Sequence, residues 1–92
     1  MNVLVSIITP AYNSAKFIAE TIQSVQNQTY ENWEMIIVDD GSSDETLAIV
    51  QAFIDEDKRI QCYKLEQNSG TGVARNFAIK KAKGDYMTFI DA

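Results

Sequence analysis

The chain has 92 residues, 46% hydrophobic and 23% charged, an ordinary globular balance at the small end of the usual domain range of roughly 100–150 residues. Eight Lys+Arg stand against 13 Asp+Glu for a net charge of −5, which excludes a general nucleic-acid binder, since phosphate affinity comes mostly from basic side chains. Histidine is absent, so the usual neutral-pH acid/base and transition-metal ligand are missing, and any metal would be a hard cation held by carboxylates and water.

The first element is the β-branched run Val3-Leu4-Val5-Ser6-Ile7-Ile8, a buried strand that Pro10 is expected to stop. After a turn at Ala11-Tyr12-Asn13-Ser14, the spacing of Phe17, Ile18, Ile22 and Val25 predicts an amphipathic helix from about Ala15 to Gln26. Tyr30 and Trp33 read as core or anchor residues before a second strand, Met35-Ile36-Ile37-Val38, bounded by Asp39-Asp40-Gly41. Ser42 and Glu45 match a capping box, so a helix is expected there, with Leu47, Val50 and Ile54 on its buried face. Ile60 to Leu65 is a weaker strand pattern, in which Cys62 reads as a buried hydrophobe.

Gly70-Thr71-Gly72 opens a third helix with Val73, Ala74, Phe77, Ala78 and Ala82 available for packing. Gly84 is placed as its C′ residue, and Lys80, Lys81 and Lys83 complement its negative end. Tyr86 to Ile90 is the last strand, ending at Asp91-Ala92. A lone cysteine argues for a reducing compartment. No run approaches the ~18 apolar residues of a membrane span, and the N-terminus lacks the basic flank of a signal peptide, so a cytoplasmic protein is expected.

The order βαβαβαβ predicts an α/β protein: a Rossmann-like, mostly parallel sheet with flanking helices and right-handed crossovers. Such sheets bind ligands at the carboxyl ends of their strands. There the sequence delivers Thr9-Pro10-Ala11-Tyr12-Asn13, Asp39-Asp40-Gly41-Ser42, Asn68-Ser69-Gly70-Thr71-Gly72 with Arg75 one turn on, and Asp91.

Each group also has a plain structural reading. Asp39-Asp40-Gly41 is ordinary turn chemistry, although two adjacent carboxylates repel and a turn needs only one. Tyr12 is either a packing aromatic or a flat face for a base. Gly70-Thr71-Gly72 fails as a dinucleotide fingerprint, because Arg75 stands at the third glycine position and the first βα turn has no glycine; a dehydrogenase is therefore disfavoured. It still suits an anion at a helix N-terminus, to which Arg75 would add a charge-assisted contact unless it is simply a surface arginine.

Taken together, the ordered blocks resemble family 2 glycosyltransferases, inverting nucleotide-sugar enzymes with a GT-A fold. The likeness is carried by Val5-Ser6-Ile7-Ile8-Thr9-Pro10-Ala11-Tyr12-Asn13, by Asn32 through Asp44, by Asn68-Ser69-Gly70 and Ala74-Arg75-Asn76, and by Ala82 through Ala92. It implies that Pro10 and Tyr12 line a base pocket, that Asp40 accepts the base N3–H, and that Asp39 supports the same loop and the ribose side. Gly70 then belongs to the nucleotide-binding loop, Arg75 approaches the diphosphate, and Asp91 is the first acid of a D-x-D motif holding Mg²⁺ or Mn²⁺. The expected donor is a UDP-sugar and the acceptor a glycan, lipid carrier or protein, in polysaccharide biosynthesis at the cytosolic face of a membrane. The expected unit, residues 1–92, is the N-terminal nucleotide-binding half of a GT-A domain truncated at D-x-D, with the catalytic base after Ala92 and no transfer by this half alone. The alternative is a non-catalytic nucleotide-binding or regulatory α/β module. Ala78 departs from the glycine common in the family, a small packing change.

Overall fold

The computed structural model describes residues 3–91. Met1, Asn2 and Ala92, which the expected domain span includes, lie outside the described residues. Seven elements alternate: β1 (Val5–Ala11), α1 (Ile18–Asn27), β2 (Trp33–Asp39), α2 (Thr46–Glu56), β3 (Ile60–Lys64), α3 (Thr71–Lys81) and β4 (Tyr86–Phe89). The four strands form one sheet in the order β3-β2-β1-β4, and every pairing is parallel.

The connectivity explains where the helices lie. The chain steps one way from β1 to β3 and then crosses back past β1 to β4, and right-handed crossovers put opposite steps on opposite faces. Alternation along the strands matches. Ile7, Met35, Ile37 and Ile60 pack with Ile18, Ile22 and Val25 of α1 and Val50 of α2. Ile8, Ile36 and Val38 pack with Ala74 and Ala78 of α3. With both faces covered, β2 is buried along its whole length, which is why its apolar run does not alternate.

Several expectations are corrected. Pro10 does not end β1, which continues to Ala11 in register with Asp39. The Ile8 carbonyl accepts from Ile90 N–H on the β4 side and the Ala11 carbonyl from Asp40 N–H on the β2 side. Pro10 is in phase with Ile8, so its missing N–H faces the side where β4 has already ended. Helix α1 starts at Ile18 rather than Ala15, and Phe17 is exposed instead of packed. Val73 is likewise exposed.

The Ser42/Glu45 capping box does not form, and Glu45 makes no side-chain cap bond. Asp44 takes the role, its Oδ1 accepting Thr46 N–H at 3.0 Å. Gly84 is not a left-handed C′ residue either; α3 ends in extended Ala82. It is needed because α3 hands the chain to β4 against the start of β1: its N–H donates to Ser6 Oγ at 2.8 Å, and a Cβ would lie 2.4 Å from that oxygen. Trp33 is core, whereas Tyr30 is half-exposed and anchors by donating its hydroxyl to the Val3 carbonyl. Cys62 packs against the α1/α2-side core, and burial pushes its thiol up to about 11. No helix among the described residues is long and apolar enough to cross a membrane.

Candidate functional site

The strand order reverses at β1, which has β2 on one side and β4 on the other, and the carboxyl ends of these strands frame a crevice. The crevice holds about 260 Å³ and is lined by Pro10, Ala11, Tyr12, Asp40, Thr71 and Asp91. Four loops that are far apart in sequence meet there because four parallel strands deliver them to one edge.

The β2 loop organises the site. Asp40 is almost fully buried, and it accepts Ser69 N–H at 2.7 Å on Oδ1 and Gly70 N–H at 2.9 Å on Oδ2. One carboxylate thus fixes the entry to α3. The close approach of these loops requires Gly41: its φ is +78°, and a Cβ would sit 2.7 Å from the backbone of Gln67 and Asn68. Gly70 is also left-handed at φ +98°, but open space surrounds it, so conformation alone demands glycine there.

Asp39 points elsewhere. It is fully buried, is absent from the crevice lining, and accepts Ser42 N–H at 3.0 Å on Oδ2 while Ser42 Oγ donates to Oδ1. Tyr12 presents its ring at the crevice, 48% exposed. Arg75 lies one turn into α3. Its guanidinium is 3.8 Å from Asp91 Oδ1 and 5.7 Å from the Phe89 ring centroid, and its buried Nε has no hydrogen-bond partner. The Asp91 side chain is 74% exposed, so that ion pair is weak.

Of the residues singled out from sequence, Pro10, Tyr12, Asp40 and Asp91 share the crevice; Gly70 adjoins it through Asp40, Arg75 through Asp91, and Asp39 stands behind it. Thr71 also lines the crevice, and from sequence it was named only as part of the Gly70-Thr71-Gly72 turn, with no role of its own. It follows Gly70 directly, and its place at the first turn of α3 was the available signal. Among the described residues no group of three or more His, Cys, Asp or Glu side chains could hold a metal, so Asp91 offers a single exposed carboxylate.

A family model described as "Glycosyl transferase family 2" matches residues 6–92. The chain is 49% identical over 89 residues to TuaG of Bacillus subtilis (strain 168), a glycosyltransferase whose name refers to teichuronic acid biosynthesis; the match covers 97% of this chain and 35% of TuaG. Among solved structures, S. aureus TarS 1–349 in complex with UDP-GlcNAc aligns with a TM-score of 0.89 and 39% identity over 95% of this chain and 26% of that one. The mannosyltransferase PcManGT from Pyrobaculum calidifontis, in complex with GDP-Man and Mn²⁺, aligns with a TM-score of 0.88 and 26% identity over the same two shares, 95% and 26%. The chain therefore spans between a quarter and about a third of the length of these proteins. Its parallel sheet and flanking helices are the GT-A-like arrangement of the TarS N-terminal domain. This chain belongs to glycosyl transferase family 2.

Proposed function

We propose that this chain binds a nucleoside-diphosphate sugar across the carboxyl edge of its sheet and forms the donor half of an inverting, metal-assisted glycosyltransferase. The observation that carries this reading is the convergence of an aromatic face, a buried carboxylate and an exposed carboxylate with its arginine in one crevice. Tyr12 stacks on the base. Asp40 spends one lone pair of each oxygen on loop N–H groups and keeps others for a base N–H. UDP is the nucleotide proposed, supported by the UDP-GlcNAc complex of TarS.

Charge decides whether a cation is needed. Asp40 and Asp91 outweigh Arg75 at the crevice, so a diphosphate meets net repulsion unless a cation accompanies it. A lone exposed carboxylate suits Mg²⁺ or Mn²⁺, which take one or two carboxylates and complete their shell with phosphate and water. Asp91 is the residue that would hold it, and the bound ion would offset the charge growing on the leaving diphosphate. Arg75, released from a weak pair, turns its unpartnered Nε edge to the same phosphates. Under this proposal the acceptor site and the base that deprotonates the acceptor hydroxyl are supplied outside these 92 residues.

Calorimetric titration of UDP into the chain, with and without Mn²⁺, tests the reading. UDP binds, Mn²⁺ strengthens binding, Asp91→Asn abolishes the enhancement alone, and Tyr12→Ala weakens binding by about tenfold, the scale of one base–aromatic stack. A folded sample that binds no UDP under either condition overturns it.

A further inference from the structure

Within the loop that carries Tyr12, Ser14 Oγ accepts from Tyr12 N–H and donates to the Tyr12 carbonyl, both at 3.3 Å, and further support comes from outside the loop. Asn13 is left-handed at φ 48°, the one non-glycine residue with positive φ among the described residues. Three successive N–H groups, those of Asn13, Ser14 and Ala15, reach across to side chains that follow β2. Each donates to a side chain of the β2–α2 loop or the first residue of α2: Asn13 N–H to Ser42 Oγ at 2.8 Å, Ser14 N–H to Thr46 Oγ1 at 2.8 Å, and Ala15 N–H to Asp44 Oδ2 at 3.1 Å. The reverse bond runs from Ser43 N–H to Asn13 Oδ1 at 2.8 Å. Ser42 is itself held through both its N–H and its hydroxyl by the buried Asp39. The segment that sequence alone marks as a capping box is therefore a template for the neighbouring loop.

We propose that Asp39, Ser42 and Asn13 form a positioning latch that sets the Tyr12 ring for base binding, with Asp39 acting through Ser42 and never touching the nucleotide. This rests on the nucleotide-binding reading above. Asp39 has both oxygens committed to Ser42 and lies outside the crevice, whereas Asn13 follows Tyr12 directly in the chain. Ser42 both accepts from Asn13 and donates to Asp39, so its hydroxyl is the link whose loss disconnects Asn13 from Asp39.

A double-mutant cycle read by UDP affinity tests the latch. Ser42→Ala lowers affinity about three- to tenfold, the scale of the one neutral hydrogen bond that ties it to Asn13, while Ser42→Thr restores it. In a Tyr12→Ala background the same Ser42→Ala change costs less than about twofold, because the ring it positions is gone. Equal losses in both backgrounds, or unchanged affinity in the single variant, overturn the latch while leaving nucleotide binding intact. If the unaltered chain binds no UDP, the nucleotide reading fails and the latch with it. Should Ser42→Ala not fold, Asn13→Gly keeps the left-handed backbone, removes only the acceptor for Ser43, and carries the same expectation through the same cycle.

Discussion

Asp39 and Asp40 are adjacent carboxylates with opposite tasks. Strand geometry sends successive side chains to opposite faces, so Asp40 reaches the α3 loop and the crevice while Asp39 turns to Ser42. Two consequences can be measured. Asp40→Ala removes the acceptor for two loop N–H groups as well as any contact with a base, so it cannot separate folding from binding; Tyr12 and Asp91 are the cleaner probes. Gly41→Ala combines a left-handed φ with a backbone clash and should cost at least ~2 kcal/mol, more than Gly70→Ala, which meets only the conformational penalty of ~1–2 kcal/mol. Urea unfolding of the two variants checks the ranking, and equal losses would contradict the close loop approach. The Asp-Asp-Gly motif was legible in the sequence as a site signal. Which acid faces the crevice came only from the family resemblance and not from the residues themselves, because that depends on which face α3 covers.

At the level of elements, the strands and helices were legible in order and type, and the errors lie at their ends. Helix ends are set by local hydrogen-bond partners, and at Ser42, Asp44 and Thr46 those partners come from a loop about thirty residues away in the chain. The opposite edge of the sheet has its own clasp. Buried Glu34 accepts from Ser6 Oγ at 2.6 Å, from Lys83 N–H at 2.6 Å and from Gln61 Nε2 at 3.3 Å, tying β1, β2, β3 and the α3–β4 turn together. Glu34→Ala strands a buried donor, the Ser6 hydroxyl, and a part-buried one, Lys83 N–H, and should destabilise the chain by ~2 kcal/mol, with Glu34→Gln retaining part of that because its carbonyl still accepts. Chemical denaturation of both variants decides this; a neutral Glu34→Ala would mean the clasp is solvated rather than closed.

Across the whole molecule, a second cluster holds α1, the end of α2 and the start of β3 at the edge away from the crevice. Asp57 accepts from Arg59 Nε at 3.0 Å, from Arg59 Nη2 at 2.9 Å and from Gln26 Nε2 at 3.2 Å, and the guanidinium lies 3.8 Å over the Trp33 ring. The arginine hydrogen bonds hold the Asp57 carboxyl down at about 2, against an ordinary value of 3.8. A carboxyl depressed in the folded state contributes stability that is fully present above its unfolded pKa and is lost as pH falls through the folded one. Thermal stability should therefore drop between about pH 4 and pH 2 in the unaltered chain, and Asp57→Asn should flatten that stretch of the profile while lowering stability at neutral pH. A profile identical to that of the unaltered chain would show that the pair does not persist in solution.

Composition and periodicity were enough for the sequence alone to determine the α/β class, the run of seven elements and the set of polar residues at the strand ends, since apolar spacing and glycine or aspartate punctuation are local properties. The strand order, the passage of β1 through Pro10, the clearance that demands Gly84 and the templating of the Tyr12 loop were decided only by the tertiary structure. Each depends on a partner brought close by strand pairing, by a neighbouring loop or by the crossing of α3 back over the sheet, and hydrogen bonds and close approaches between distant residues leave no periodic trace in the chain.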